Sequence, residues 1–263
     1  MEDLRGRVAV VTGGGSGMGR ATCLALAARG VHVVVADLDG PRTEAVAAEI
    51  AARGGEGLGV PCDVSQDAEV AALRTSAVEH FGEVDIVMSN VGVLTVGNPE
   101  DIPMSAWRRM VETNLLSVAR GISVFLPSML ERGAGHIVNT ASTAGLWAYS
   151  YERLPYSATK AAVVAMSEAL ALYARPRGVG VTCLCPGPVK TNIGEQIEWF
   201  GGVRPLHGPP LEPIEAAVVG EQVVQAILDG TFLLLTHPAE THAILVERAE
   251  DPESFLAAQV ARM

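Results

Sequence analysis

Behind a short β-branched run, Arg7 to Thr12, the chain carries Thr12-Gly13-Gly14-Gly15-Ser16-Gly17-Met18-Gly19, and from Arg20 onward the residues read as helix. Strand, glycine turn and helix in that order constrain the fold more than any other feature of the sequence. Gly13, Gly17 and Gly19 allow a tight turn, a close backbone approach to a pyrophosphate and tight packing of helix on sheet, while the helix N-terminus offers unbonded N–H groups to an anion. The spacing is TGxxxGxG and not GxGxxG, because Met18 stands where the third glycine of that pattern falls. A glycine turn after a strand also occurs for purely structural reasons, so its meaning depends on the next strand.

That strand is Val33-Val34-Val35-Ala36-Asp37, and its last residue lies 18 positions after Gly19. A carboxylate there can accept both hydroxyls of an adenosine ribose, and its charge repels a 2′-phosphate, which favours NAD over NADP. A plain turn residue ahead of Asp39-Gly40 is the alternative reading. The positions where a phosphate-binding cation is expected, Ser16 and Leu38, are uncharged, and Arg42 is the base that keeps NADP in play.

Short β-branched runs alternate with Ala-rich helical segments along the rest of the chain, the pattern of a parallel sheet covered on both faces. Strands are expected at Arg7–Thr12, His32–Asp37, Gly57–Cys62, Asp85–Ser89, His136–Thr140, Gly180–Cys185 and Thr231–Thr236. Helices are expected at Gly19–Arg29, Arg42–Arg53, Asp67–Phe81, Trp107–Leu130, Tyr156–Arg175 and Glu212–Leu228. The reading is an α/β chain: a Rossmann-like, doubly wound, seven-stranded parallel sheet in a single domain over residues 1–263. Thr191–Pro210 fits no element, and a loop that long in a compact domain is usually functional. The tail His237–Met263 reads as two short helices, an amphipathic cap or a subunit contact.

Composition removes other function classes. The 263 residues carry 19 basic and 30 acidic side chains, a net charge of -11, and no window is rich in Lys or Arg, so nucleic acid is not an expected partner. The four cysteines, Cys23, Cys62, Cys183 and Cys185, form neither a CxxC pair nor a zinc-spaced set with histidine and read as reduced core residues. No metal site is expected. The first apolar run stops at Thr12, so it is a strand and not a secretory signal, and no run reaches the ~20 apolar residues that span a bilayer. A cytoplasmic chain without membrane contact is the expectation.

The motifs in their order resemble the classical short-chain dehydrogenases/reductases up to about residue 236. The residues carrying this are the TGGGSGMG turn, Asp63-Val64, Ser89-Asn90-Val91-Gly92, Asn114, Ser142, Tyr156-Ser157-Ala158-Thr159-Lys160, and Pro186-Gly187 with Thr191. Tyr156 and Lys160, four apart at a helix start, share a face. A free phenol, with a pKa near 10, is a poor base at neutral pH. A unit charge at ~4 Å is worth roughly 4 kcal/mol at an effective dielectric of about 20, so Lys160 and a positive nicotinamide ring are expected to favour the phenolate. Tyr156 is thus the expected acid and base, and Ser142 the donor to the substrate oxygen. The resemblance implies that Lys160 also binds the nicotinamide ribose and that Asn114 holds a water linking Lys160 to solvent; a locally satisfied helical Asn is the alternative.

The same resemblance assigns Gly13, Ser16, Gly17, Met18 and Gly19 to the pyrophosphate turn, Asp63 and Val64 to the adenine, and Asn90 and Gly92 to the adenosine ribose. Pro186, Gly187, Val189 and Thr191 fall to the nicotinamide side, with Tyr156 and Lys160 contacting the cofactor as well. It also implies a dimer or tetramer built on the two long helices.

Candidate substrate walls are Val93, Leu94, Leu146, Trp147, Tyr149, Ile193, Ile197, Trp199 and Phe200, mostly apolar, while Arg153, Lys190 and Arg204 read as solvated loop charges. The expected reaction is hydride transfer between NAD and a hydrophobic secondary alcohol or ketone: terpenoid, steroid or aryl. Two alternatives stand beside it: an NADPH-dependent reductase of 3-oxoacyl groups on an acyl carrier protein, and a non-catalytic dinucleotide sensor. Extended-type epimerases carry TGxxGxxG, which this turn is not. His32 and His136 open strands and read as core or edge residues, and Cys183 and Cys185 as packing on one strand face. The ending Leu235-Thr236-His237-Pro238 departs from the Asp-Gly-Gly-type ending of many family members.

Overall fold

Every residue of the run Val8-Ala9-Val10-Val11-Thr12 is buried in the central strand β1 (Val8–Thr12). Side chains alternate across a strand, so Ala9 and Val11 enter one apolar layer with Leu26, Ile50 and Val223, while Val8 and Val10 enter the other with Leu73, Phe125 and Met129. Two buried faces explain why the run shows no polar alternation. In this computed structural model, which describes residues 3–203 and 207–263, β1 leads through the glycine turn into α1 (Gly17–Ala27), then β2 (His32–Asp37), α2 (Gly40–Ala52), β3 (Gly57–Pro61), α3 (Asp67–Phe81) and β4 (Ile86–Ser89). Asp39 starts α2 by accepting a hydrogen bond from the Arg42 amide at 3.1 Å, and Pro41 supplies a preset φ in the first turn.

The second half continues with β5 (Leu94–Val96), α4 (Met104–Val111), α5 (Ser117–Arg132), β6 (Gly135–Thr140), α6 (Leu154–Ala174), β7 (Val179–Cys185), β8 (Val189–Lys190), β9 (Ile197–Trp199), β10 (Ile214–Glu215), α7 (Ala216–Asp229), β11 (Leu233–Leu235), α8 (Pro238–Glu250) and α9 (Pro252–Ala261). Seven strands form one parallel sheet in the order β11-β7-β6-β4-β1-β2-β3, with helices around it. This is the Rossmann-like sheet expected from the alternation of elements. The connections after β1 and β4 depart in opposite directions, which opens a crevice at the carboxyl ends of these neighbouring strands.

Two expectations need correction. The helix expected over Trp107–Leu130 is interrupted: α4 and α5 are joined by a π turn, Glu112–Leu116, in which the Ser117 amide bonds back to the Glu112 carbonyl. The segment 191–210 is not simply a loop. Thr191 caps a 3₁₀ turn, Asn192–Gln196, and β9 then pairs in parallel with β5, Leu94 opposite Ile197 and Val96 opposite Trp199. Among the described residues, no helix is long and apolar enough to cross a membrane.

Candidate active site

The turn between β1 and α1 is shaped by its glycines. Gly13 has φ +64°, and a Cβ there would lie 3.1 Å from the Asn90 Nδ2; a Cβ on Gly19 would lie 2.0 Å from the Gly13 carbonyl oxygen. The turn is therefore closed on itself and on the end of β4, with the N-terminus of α1 facing a cleft of about 420 Å³. Gly13, Ser16, Gly17, Met18, Asp37, Asp63, Val64, Asn90, Gly92 and Thr191 all line that cleft. The cleft gathers residues from five separate strand ends, those of β1, β2, β3, β4 and β8, as expected for an elongated ligand lying across the switch point. Val93 and Ile193, expected in the substrate pocket, line the same cleft.

Hydrogen bonds hold these residues in place. The Asp37 carboxylate accepts from the Gly15 amide at 3.1 Å and the Asp39 amide at 3.2 Å, so it is aimed across the glycine turn. Arg42 pairs with Asp39 at 3.1 Å. Asp63 caps the start of the next segment through the Ser65 amide at 2.9 Å, and these bonds hold its carboxyl below the usual range. The Asn90 amide donates to the Thr12 hydroxyl at 3.1 Å and its Nδ2 to the Gly13 carbonyl at 3.4 Å. Gly187 donates to the Thr236 hydroxyl at 2.9 Å, Pro186 accepts from the Thr143 amide at 2.9 Å, and Val189 sits in β8. His237 bonds both Thr236, at 2.9 Å, and the Glu212 carbonyl, at 2.7 Å, so the unusual ending braces the turn after β7.

Ser142, Tyr156 and Lys160 converge at the carboxyl ends of β6 and β7. Ser142 ends the strand segment and caps the short turn Thr143–Gly145, its Oγ accepting from the Ala144 amide at 3.1 Å. Its hydroxyl also hydrogen-bonds the Tyr156 phenol. Lys160 is 2% exposed, donates to the Thr140 carbonyl at 2.7 Å, and its Nζ lies 5.8 Å from the centre of the Tyr156 ring. Burial pushes Lys160 down to about 8 and pushes Tyr156 up to about 12, the latter against the pull of the Ser142 hydrogen bond and the Arg153 charge. Desolvation thus outweighs the charges of the chain around the phenol.

Asn114 lies in the π turn, fully buried. Its Oδ1 accepts from the Val93 amide at 2.8 Å and its Nδ2 donates to the Val93 carbonyl at 2.9 Å and toward Thr159 Oγ1 at 3.5 Å. The side chain thereby clamps the strand end that carries Gly92 beside Lys160. Its amide is satisfied by Val93, 21 residues away, and not by the backbone of its own helix.

Apolar groups flank Tyr156 on two sides. Leu94, Val96, Val203, Ile197 and Trp199 pack on one; Ala144, Leu146, Tyr149, Leu211 and the tail residues Ile244, Leu245 and Phe255 pack on the other. Trp147 is 2% exposed, packed against Tyr149 and Phe255. Phe200 bonds back to the Val96 carbonyl at 2.8 Å and packs against Gly97. The solvated-charge reading holds for Lys190, paired at the surface with Glu215 at 2.5 Å, but fails for Arg153, which is buried. Arg204 lies outside the described residues. The sequence reading also missed Arg109, which lines the cleft and pairs with Glu198 at 3.0 Å, and the buried Glu152, paired with His207. Arg109 reads as one more charge on a helix and Glu152 as an isolated loop charge, so nothing local marked them.

Residues 7–199 match the family model described as short chain dehydrogenase. The chain is 36% identical over 190 residues to a 2,5-dichloro-2,5-cyclohexadiene-1,4-diol dehydrogenase of Sphingobium indicum, covering 72% of this chain and 76% of that one. It is 33% identical over 230 residues to a cyclohexanol dehydrogenase of an Acinetobacter strain, covering 87% of each. Among solved structures, a short-chain dehydrogenase/reductase of Burkholderia phymatum in complex with NAD superposes with a TM-score of 0.85 at 34% identity, covering 96% of both chains. The protein is an oxidoreductase that belongs to the short-chain dehydrogenase family.

Proposed function

We propose that this protein is an NAD-dependent dehydrogenase that exchanges hydride with a hydrophobic, cyclic or aryl secondary alcohol or its ketone. The observation that carries the reading is the placement of one phenol, Tyr156, hydrogen-bonded to Ser142, beside the buried Lys160 and between two apolar walls. The residues fit a dinucleotide: the closed glycine turn leaves backbone N–H groups facing the cleft, and the Asp37 carboxylate points across it with Arg42 engaged elsewhere. Asp37 favours NAD by accepting ribose hydroxyls and repelling a 2′-phosphate. Two relatives named for cyclic alcohols support the substrate class.

Bound in the cleft, the oxidised nicotinamide ring supplies the hydride acceptor and a positive charge. Ser142 holds the substrate oxygen, its Oγ fixed by the Ala144 amide so that its proton is available to donate. Tyr156 takes the hydroxyl proton in oxidation and returns it in reduction. With its pKa near 12, the phenol is protonated at neutral pH; forming phenolate there costs about 7 kcal/mol at pH 7. Positive groups around Tyr156 must therefore lower that cost during oxidation, whereas the acid role in reduction is available at once.

The test is a fluorescence titration with NADH and NADPH, followed by a dehydrogenase assay over apolar secondary alcohols. NADH is expected to bind at least about tenfold tighter, the scale of one lost charge interaction; equal or tighter NADPH binding overturns the cofactor assignment. Tyr156→Phe is expected to lower kcat/KM by about 10²-fold or more. Full activity in that variant overturns the role of the phenol.

A further inference from the structure

Arg153 stands immediately before α6, three residues ahead of Tyr156, and is 8% exposed. Its guanidinium lies 5.1 Å over the Tyr149 ring, donates to the Tyr149 hydroxyl at 3.3 Å and donates to the His207 carbonyl, while its Nε is buried without a partner. No carboxylate among the described residues forms an ion pair with it. Its neighbour Glu152 is fully buried, but accepts from Ser150 and pairs with His207. A buried cation without a paired carboxylate is costly, so its position calls for a use of the charge.

The groups around it define that use. Tyr149 reaches toward Tyr156 from the turn after β6, Cys185 approaches from β7, Lys160 lies one turn further along α6, and Glu152, whose carboxyl the Arg153 charge helps to lower, stands next to Arg153 with its partner His207. The Arg153 guanidinium donates to the Tyr149 hydroxyl, so a second phenol in contact with Tyr156 is held in one orientation. Burial raises Tyr149 as well, which keeps it from competing as an anion.

We propose that Arg153 is a positioning residue for the reaction: its buried guanidinium fixes Tyr149 and supplies the positive field in which the Tyr156 phenolate forms. The inference rests on the reading of Tyr156 as acid and base. It gives oxidation a cation belonging to the chain in addition to Lys160.

The experiment is the pH profile of kcat/KM for alcohol oxidation by the NAD-loaded enzyme, in wild type, Arg153→Lys, Arg153→Gln and Arg153→Met. The rise toward high pH is expected to move up by about one unit in the two neutral variants, the scale of one nearby charge. It should stay near its wild-type position in Arg153→Lys. Tyrosine labelled at Cζ gives a second readout without turnover: the resonance lost in Tyr156→Phe should titrate later in Arg153→Gln, which can still donate to the His207 carbonyl. An unmoved rise in the neutral variants, however much activity they lose, overturns the proposal. So does failure of both neutral variants to fold while Arg153→Lys folds, since the side chain is then structural. An inactive Tyr156→Phe with unmoved Arg153 variants sinks only this inference, whereas an active Tyr156→Phe sinks the acid and base reading itself.

Discussion

His136 sits between β6 and β7, 2% exposed, its Nε2 2.8 Å from the Thr182 hydroxyl. Thr182 gives its single proton to the Thr231 carbonyl at 2.6 Å, so it accepts from the imidazole, which fixes the Nε2–H tautomer. The other nitrogen faces Gly180, where an added Cβ would lie 2.4 Å from Nδ1, leaving no room for a proton acceptor. Burial accordingly pushes His136 down to about 4. The folded value lies below the unfolded one near 6.5, so the unfolded chain binds more protons between the two. Stability is complete above pH 6.5 and falls as pH drops through about 4, by about 3 kcal/mol in all. Urea unfolding at pH 7.5 and 4.5 should show this loss in wild type and a shallower loss in His136→Gln; equal slopes would refute it. The strand pattern identified His136 as a core or edge residue, but tautomer and pKa depend on Thr182, 46 residues away.

At the scale of elements, the π turn between α4 and α5 decides how the site is assembled. A turn with one extra residue displaces Asn114 inward, where its amide satisfies both the amide and the carbonyl of Val93. Asn114→Ala leaves both groups without their partner, and each such loss is worth about 1–3 kcal/mol. The variant is expected to lose about 2 kcal/mol or more in urea unfolding and to lower kcat, because Gly92 and Lys160 shift with the strand end. A variant with wild-type stability would show that the clamp is dispensable. Helical periodicity across 107–130 was legible in the sequence, whereas the interruption was not: a π turn changes the phase by one residue and leaves composition unaltered. The pairing of β9 with β5 was equally hidden, since three-residue strands carry too little pattern to be read.

Across the whole molecule, the tail that reads as a cap closes one wall around Tyr156. Arg248 of α8 donates to the Leu146 carbonyl at 2.6 Å, and Phe255 of α9 is buried with Trp147, Tyr149 and Ala144. Phe255→Ala is expected to cost about 3 kcal/mol or more through the cavity it leaves. KM for a bulky apolar alcohol should change more than KM for a small one; equal changes for both would place the tail outside substrate recognition.

The glycine turn, the strand carrying Asp37, the sheet class and the Tyr156–Lys160 pair were all determined by the sequence alone, because each depends on residues a few positions apart and on the repeat of one element. The state of the site was decided only by the tertiary structure. Whether Tyr156 is basic, whether Arg153 is solvated and how deep Trp147 lies depend on burial and on interactions summed over Ser142, Tyr149, Arg153 and Cys185, which the chain brings together from different elements. Desolvation and electrostatic fields are properties of that three-dimensional sum, and no local spacing encodes them.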